Sequence, residues 1–240
     1  MIYETIIEAK RKGESLISVL MDPDKIQLEG VADFIQKINE TVISHILVGG
    51  STVPEGITEP LVIEIKKHTQ KPVVLFPGDV SQLTNAADGL LFLNLLSGRN
   101  PEYLIEQQIA SASFLRSSSL EIMSTGYILV DGGKETATMK VTHTQPIVAS
   151  EIQLIKDTAK AGELMGNRLI YLETGSGAQF PVPSTVVKAI KDDLQIPVIV
   201  GGGIRCKTQI LEAKKSGAAM IVIGTAFEED ADFYNELKNI

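Results

Sequence analysis

The chain of 240 residues has one cysteine, no tryptophan and three histidines, and each scarcity excludes a class of protein. Cys206 has no partner for an internal disulfide, so the fold does not depend on oxidising surroundings. The histidines His45, His68 and His143 lack the spacing of metal ligands. A formal net charge of −8 argues against nonspecific binding to nucleic acid or to an anionic membrane surface.

Long hydrophobic runs are also missing. No apolar segment approaches the ~20 residues that span a bilayer, and no basic and apolar signal precedes the polar segment 3–13. We therefore expect a cytoplasmic protein without a transmembrane segment and without a nucleic-acid partner.

Eight short apolar runs alternate with segments of helical periodicity. This alternation predicts one α/β domain over residues 1–240, a (β/α)8 TIM barrel, whose usual length is roughly 250 residues. The expected strands are 16–21, 45–48, 72–76, 89–95, 126–130, 169–173, 197–200 and 219–223. An open doubly wound sheet is the alternative, but its glycine fingerprint would follow the first strand, where Asp22-Pro23-Asp24 stands.

Two connections depart from the regular pattern. Only two turns of helix fit between Phe76 and Gly89, so the third helix is predicted to be shortened or replaced by an irregular segment. Segment 134–148 shows no helical period and is longer than an ordinary loop. We interpret it as a lid or substrate-contacting flap, with a strand extension or disordered insert as the alternative. Ser150 and Gln153 then resemble a capping box.

Three of the last strands run directly into glycine. Glu173 is followed by Thr174-Gly175-Ser176-Gly177, Val200 by Gly201-Gly-Gly203, and Ile223 by Gly224-Thr225. Glycine lets backbone N–H groups crowd one point, and loops after the last barrel strands commonly bind phosphate. These turns predict an anion site, although three ordinary strand-to-helix turns would look the same.

Acidic and hydroxyl side chains follow other strands. Asp22 and Asp24 suit a hard cation such as Mg²⁺, with Ser51 as a neighbour, but Asp22 could instead start the turn before Pro23. Glu173 could act as a general base, or it could be a solvated carboxylate. Tyr171 lies two residues earlier on the same strand face. Further strand-end candidates are Asp79, Asn94 and Asp131, and Lys25 and Arg99 could neutralise phosphate.

Taken together, these motifs resemble the geranylgeranylglyceryl phosphate synthase family, which includes the heptaprenylglyceryl phosphate synthases. The ordered set that carries the resemblance is Asp22-Pro-Asp-Lys25, Gly49-Gly-Ser51, Tyr171-Leu-Glu-Thr-Gly-Ser-Gly177, Gly201-Gly-Gly-Ile204 and Gly224-Thr225. The resemblance implies a TIM barrel with a modified third unit. It also implies an Mg²⁺-dependent prenyltransferase that joins the C3 hydroxyl of sn-glycerol 1-phosphate to a polyprenyl diphosphate, most simply geranylgeranyl diphosphate, in ether phospholipid synthesis.

The resemblance further assigns roles to individual residues. Asp22 and Ser51 are the expected Mg²⁺ ligands, and Glu173 is the expected catalytic residue. The expected sn-glycerol 1-phosphate site comprises Tyr171, Leu172, Glu173, Thr174, Gly175, Ser176, Gly177, Gly202, Gly203, Gly224 and Thr225. A prenyl chain needs an apolar groove, for which the Phe76-Pro77 region and the shortened third unit are the candidate walls. The family implies a homo-oligomer, a dimer or hexamer.

One position departs from the family pattern. Some members have lysine two residues before the aspartate of the first-strand motif, and here that residue is Leu20. This difference indicates the second sequence group of the family and leaves open which cation supplements the phosphate site.

Two other functions fit the same fold. A phosphate-binding isomerase or lyase of amino-acid biosynthesis would pair Asp22 with Asp131 and would need neither Mg²⁺ nor an apolar groove. A non-catalytic barrel that binds a phosphorylated metabolite is also compatible, because fold alone does not determine activity.

Overall fold

A computed structural model describes residues 1–224 and 231–238. Its eight strands form a closed parallel barrel in the order β1 to β8, and Leu16 of the first strand pairs with Met220 of the last. The strands are β1 Leu16–Met21, β2 Ile43–Val48, β3 Val73–Leu75, β4 Gly89–Leu95, β5 Glu121–Leu129, β6 Leu169–Glu173, β7 Val198–Gly201 and β8 Met220–Ile223. The predicted TIM barrel is confirmed.

Most of the helices pack around the outside of the barrel. The helices are α1 Ile2–Lys12, α2 Val31–Asn39, α3 Thr58–His68, α4 Gln107–Leu115, α5 Ala137–Thr142, α6 Ile152–Leu164, α7 Ser184–Asp193, α8 Lys207–Ser216 and α9 Ala231–Leu237. Between β3 and β4 there is only a 3₁₀ turn, Val80–Gln82, so the predicted loss of the third helix is confirmed.

Two apolar cores follow from the alternation of side chains along the strands. One set of strand residues packs against the outer helices, as Ile46 and Leu172 do. The other set fills the barrel interior, where Ile6 of α1 joins Met123 and Leu169. Helix α1 therefore closes the N-terminal end of the barrel, and Glu121 holds it there by accepting hydrogen bonds from the backbone N–H groups of Ile2 (2.5 Å) and Tyr3 (2.9 Å).

Several local predictions were wrong. Strand β5 begins at Glu121, five residues before the expected Gly126. The expected capping box at Ser150 is absent, because Glu151 is the N-cap of α6 and its side chain caps nothing. Segment 134–148 contains the short helix α5, although its sequence has no helical period; contacts with the rest of the barrel override this weak local pattern.

Candidate active site

Glu173 ends β6, and its side chain is buried within the mouth of the barrel, with 5% of its surface exposed. Its Oε1 accepts a hydrogen bond of 2.6 Å from the backbone N–H of Gly175. Burial raises the pKa of Glu173 from 4.5 to about 7, although the N–H groups of Gly175 and Thr174 and the Tyr171 hydroxyl act in the opposite direction. A carboxyl with a pKa near neutrality suits a general base, and the structure thus places Glu173 in the environment that this role requires.

Three aromatic rings lie beneath this carboxylate. The ring of Tyr171 stacks on Phe76 with centroids 5.0 Å apart and an interplanar angle of 14°. Tyr127 packs against Tyr171 at 5.5 Å and against Phe76 at 6.0 Å. Burial raises the pKa of both tyrosines well above 10, and the charge of Glu173 adds to this effect, so both hydroxyls are neutral. No local sequence pattern distinguishes Tyr127, because its position follows from its pairing opposite Tyr171.

The predicted glycine turns converge on a small pocket beside Glu173. Its volume is about 40 Å³. It is lined by Leu20, Tyr171, Glu173, Ser176, Gly177, Gly202, Gly203, Ile204, Arg205, Val222 and Gly224. The structure therefore brings together three strand ends that are far apart in the sequence, as the glycine pattern predicted.

The glycine at position 202 is required by both space and backbone conformation. Its φ of +80° lies in the left-handed region, and a Cβ there would lie 2.2 Å from Glu173 Oε1 and 2.5 Å from Thr174 Oγ1. Thr174 Oγ1 is buried and has no hydrogen-bond partner among the residues that the structure describes. A polar group at this turn would therefore find an unused hydroxyl nearby.

Three residues of the expected sn-glycerol 1-phosphate site, Leu172, Thr174 and Gly175, do not line the small pocket. Leu172 is fully buried and packs in the core between the barrel and the helices, because side chains alternate along β6. Thr174 and Gly175 are buried beneath the turn. Thr225 lies outside the described residues.

A larger cavity of about 310 Å³ adjoins the small pocket. The two share Leu20, Glu173, Ser176 and Gly224 as lining residues. The larger cavity extends over the strand β4 residues 90–93 and the wall formed by Phe76, Pro77 and the shortened third unit. The structure thus places an apolar groove where the sequence predicted one, with Glu173 at the junction of groove and pocket.

Asp22 and Ser51 both line this cavity. Asp22 Oδ1 packs closely on Gly50: a Cβ added at position 50 would lie 2.6 Å from this oxygen. The carboxylate also lies 3.5 Å from Lys25 Nζ, and Ser51 Oγ is 3.1 Å from Thr138 Oγ1 of α5. Within residues 1–224 and 231–238, no group of three acidic, histidine or cysteine side chains could hold a metal. One carboxylate and one hydroxyl fit Mg²⁺ only if water and substrate phosphate supply the remaining ligands, which is how proteins commonly bind it.

The comparisons with known proteins agree with this geometry. Residues 8–240 match the PcrB family. A geranylgeranylglyceryl phosphate synthase of Zunongwangia profunda is 51% identical over 95% of this chain and 97% of its own. One of Flavobacterium johnsoniae is 48% identical, with 98% and 96% covered.

The chain belongs to the geranylgeranylglyceryl phosphate synthase family.

A solved member of this family has the same fold. The crystal structure of (S)-3-O-geranylgeranylglyceryl phosphate synthase from Thermoplasma acidophilum, in complex with its substrate sn-glycerol-1-phosphate, superposes with a TM-score of 0.92. It is 30% identical, and the match covers 99% of this chain and 96% of that one. The resemblance stated from the sequence motifs is confirmed.

Three other candidates from the sequence, Asn94, Arg99 and Asp131, do not line the site of this protein. Asp131 is exposed and accepts a hydrogen bond from the backbone N–H of Gly133 (2.9 Å). The Asn94 side chain accepts one from Asn167, and Arg99 donates to the backbone carbonyls of Leu96 and Gly98. These three side chains make contacts within the fold and are not among the residues that line the small pocket or the larger cavity.

The segment between β5 and α6 does reach the site. Thr138 and Val141 of α5 line the larger cavity, and the Tyr103 hydroxyl donates to the Val141 carbonyl at 3.4 Å. Tyr103, Gln107 and Gln108 also line the cavity from around the start of α4. Nothing local in the sequence distinguished these side chains from the other residues of a helix.

Proposed function

We propose that this protein is a prenyltransferase that joins the C3 hydroxyl of sn-glycerol 1-phosphate to a polyprenyl diphosphate, with geranylgeranyl diphosphate as the favoured donor. The observation that carries the proposal is the position of buried Glu173 between a small glycine-lined pocket and an apolar groove. A phosphate in the pocket and a prenyl chain in the groove would bring the two reacting ends together beside this carboxylate. The names of the relatives support the same pair of substrates.

Glu173 is the proposed general base. The hydroxyl oxygen of the glycerol forms a bond to C1 of the prenyl chain, the C1–O bond to diphosphate breaks, and the hydroxyl proton passes to the Glu173 carboxylate. Its pKa of about 7 leaves a substantial fraction ionised at neutral pH and able to accept this proton. The buried ring of Tyr171, stacked on Phe76 and packed against Tyr127, would limit access of water to the carboxylate.

The proposed phosphate site combines backbone N–H groups with one cation. The turns after β6, β7 and β8 supply the donors, including those of Gly177, Gly202 and Gly203. Among the described residues that line the pocket, Arg205 carries the only positive charge, and Leu20, which also lines it, carries none. We assign Arg205 as the cation that balances the phosphate, a role that the sequence analysis left open.

Asp22 and Ser51 would hold Mg²⁺ together with the diphosphate of the donor. When bound, Mg²⁺ supplies positive charge that stabilises the departing diphosphate. Asp22 lines the larger cavity and forms an ion pair with Lys25 at 3.5 Å, so a cation bound in the cavity would lie beside its carboxylate.

Neither alternative function is favoured by this geometry. An isomerase or lyase that pairs Asp22 with Asp131 would need both carboxylates at one site, and Asp131 is exposed and lines neither cavity. The buried carboxyl of Glu173, with its pKa raised to about 7 and its place between pocket and groove, favours a catalytic role over binding alone.

The cellular setting belongs to the same proposal. We expect the protein to act in the cytoplasm, since its fold needs no disulfide. The part of the chain that the structure describes contains no helix long and apolar enough to span a bilayer. A homo-oligomer is supported by exposed apolar side chains on the outer helices, among them Ile105 and Ile109 near α4 and Leu154 on α6.

The test is the formation of the prenyl ether from radiolabelled sn-glycerol 1-phosphate and geranylgeranyl diphosphate, with and without Mg²⁺. Glu173→Gln is expected to bind the glycerol phosphate and to lose turnover, whereas Asp22→Asn is expected to raise the Mg²⁺ concentration that activity requires. Asp131→Asn is the matched control and should behave as the native protein. Full activity in Glu173→Gln would refute its role as the general base, and no ether from any prenyl diphosphate would refute the prenyl transfer and favour the alternative functions.

A further inference from the structure

The wall that replaces the third barrel helix has little secondary structure of its own. Strand β3 is three residues long, and the 3₁₀ turn Val80–Gln82 is the sole regular element before β4. Phe76, Pro77, Asp79 and Val80 nevertheless line the larger cavity. Residues 76–88 contain no α-helix, and contacts with neighbouring elements, α4 among them, hold this wall in place.

Gln107, at the start of α4, makes such contacts with both of its amide atoms. Its Oε1 accepts a hydrogen bond from the backbone N–H of Val80 at 3.1 Å. Its Nε2 donates to Asp79 Oδ2 at 3.0 Å and to Glu102 Oε1 at 2.6 Å. Both amide hydrogens and the carbonyl are therefore in use, and one side chain ties the wall to the helix across the groove.

The carboxylate of Asp79 makes this connection stronger. Partial burial alone would raise the pKa of Asp79, but hydrogen bonds, chiefly from Ser81 and then from Gln107, outweigh it and lower the pKa. The Ser81 backbone N–H donates to Asp79 Oδ1 at 2.8 Å, which caps the 3₁₀ turn. Asp79 is thus ionised near neutral pH, and hydrogen bonds to an ionised acceptor are roughly twice as strong as neutral ones.

A π-helical turn directly before α4 sets the position of the Gln107 side chain. Residues Glu102–Glu106 form a π-helical turn, in which residues five apart lie next to one another. Glu102 is therefore adjacent to Gln107 and accepts one of its hydrogens. The same turn directs Tyr103 and Gln108 at the groove, where Gln108 Nε2 donates to the Leu93 carbonyl at 2.5 Å.

A second glutamine holds the opposite end of the wall. Gln82 is 2% exposed, accepts from the Gly50 N–H at 3.3 Å and donates to the Gly50 carbonyl at 2.9 Å. This end is fixed to the loop that carries Ser51. The end of the wall at Asp79 and Val80 faces α4, and the amide of Gln107 connects the two by hydrogen bonds.

We propose that Gln107 is a specificity-determining positioning residue, which sets the width of the prenyl groove by holding the Asp79–Val80 wall against α4. The inference rests on the proposed prenyl transfer and adds to it the residue that limits which prenyl chains fit. When the amide is lost, the wall moves away from α4, and the groove discriminates less against longer chains.

The test replaces Gln107 with methionine, which has a similar length and no hydrogen-bonding amide. We expect the ratio of kcat/KM for heptaprenyl diphosphate to that for geranylgeranyl diphosphate to rise about tenfold, the scale on which apolar pockets discriminate chain length. The KM for sn-glycerol 1-phosphate should not change, because its pocket lies on the other side of Glu173. Gln153→Met, an exposed glutamine on α6 that does not line the cavity, is the matched control.

A second variant covers the case in which Gln107→Met fails to fold. Gln107→Glu keeps an oxygen for the Val80 N–H and sets a third carboxylate against Asp79 and Glu102, so the same shift in chain-length preference is expected. An unchanged ratio in a folded variant would overturn the proposal. So would an equal loss for every donor accompanied by a raised KM for sn-glycerol 1-phosphate, because that pattern indicates general damage to the site.

Binding of the two diphosphates, measured by calorimetry without the acceptor, separates this inference from the proposed function. If the native protein makes no product but binds both donors, and Gln107→Met shifts their relative affinity, the groove assignment stands and the reaction does not. If the native protein makes the ether and the variant keeps both the binding and the turnover ratios, the reaction stands and the role of Gln107 is refuted. Binding of neither donor would refute both.

Discussion

The buried carboxyl of Glu173 predicts a measurable link between stability and pH. Its pKa rises from 4.5 in the unfolded chain to about 7 in the folded protein, so between these pH values the folded state binds more protons than the unfolded state. The free energy of unfolding therefore falls as pH rises through this window and is constant with respect to this group above it. At ~1.4 kcal/mol for each pH unit, the rise in pKa from 4.5 to about 7 lowers the free energy of unfolding by about 3 kcal/mol across this window.

Glu173→Gln removes this penalty, because glutamine does not titrate and has nearly the same shape. Relative to the native protein, the variant should gain about 3 kcal/mol of stability on going from pH 4 to pH 8. Urea unfolding followed by circular dichroism at a series of pH values measures the difference directly, with Glu135→Gln on the exposed part of the β5–α6 segment as control. Parallel stability curves for native and variant proteins would refute the burial argument, and with it the assignment of a near-neutral base.

The same ionisation should appear in catalysis. Only the deprotonated carboxylate accepts the hydroxyl proton, so kcat/KM for sn-glycerol 1-phosphate is expected to rise with pH up to about 7 and then level off. An acid limb near pH 4.5, the ordinary range of a solvated carboxylate, would contradict the buried environment even if Glu173 is essential.

Three further substitutions test separate parts of the structure. Arg205→Gln should weaken binding of sn-glycerol 1-phosphate about tenfold by calorimetry, and less at high salt, while Lys215→Gln at the far end of α8 should have no effect. Gly202→Ala should reduce the same affinity by at least about tenfold, because its Cβ would displace Glu173; unchanged binding would exclude this turn from the site. Glu121→Gln weakens the hydrogen bonds that the carboxylate accepts from the first N–H groups of α1. The free energy of unfolding in urea should fall by about 1 kcal/mol, with no change in the KM for sn-glycerol 1-phosphate.

Much of the site could be predicted because its chemistry lies at strand ends. A parallel barrel brings the carboxyl ends of all its strands to one rim, so residues that follow apolar runs are neighbours whatever their separation in the sequence. This rule brought Asp22, Ser51 and Glu173 together, and the two-residue period of a strand placed Tyr171 on the same face as Glu173. The same period places the Leu172 side chain in the outer core, so only the backbone of this residue could contact a ligand.

Residues whose positions depend on pairing or packing could not be predicted. Tyr127 reaches the aromatic cluster because β5 pairs with β6 in a register that sets it opposite Tyr171, and no local pattern fixes a register between distant strands. Gln107 depends on a π-helical turn that the periodicity of an ordinary helix does not reveal. The capping box predicted at Ser150 does not form, because a local capping pattern is realised only where the tertiary path of the chain allows it.

The missing third helix is best understood as part of the binding site. A full helix packed on β3 would cover the surface next to β4, where the larger cavity now extends over Leu90 and Leu93. Its loss opens an apolar groove at the barrel mouth but removes the packing that would hold the adjoining wall. The two glutamines supply that restraint with polar contacts, Gln82 toward the Ser51 loop and Gln107 toward α4. Polar contacts of this kind restrain the backbone without filling the groove, which a replacement by apolar side chains would do.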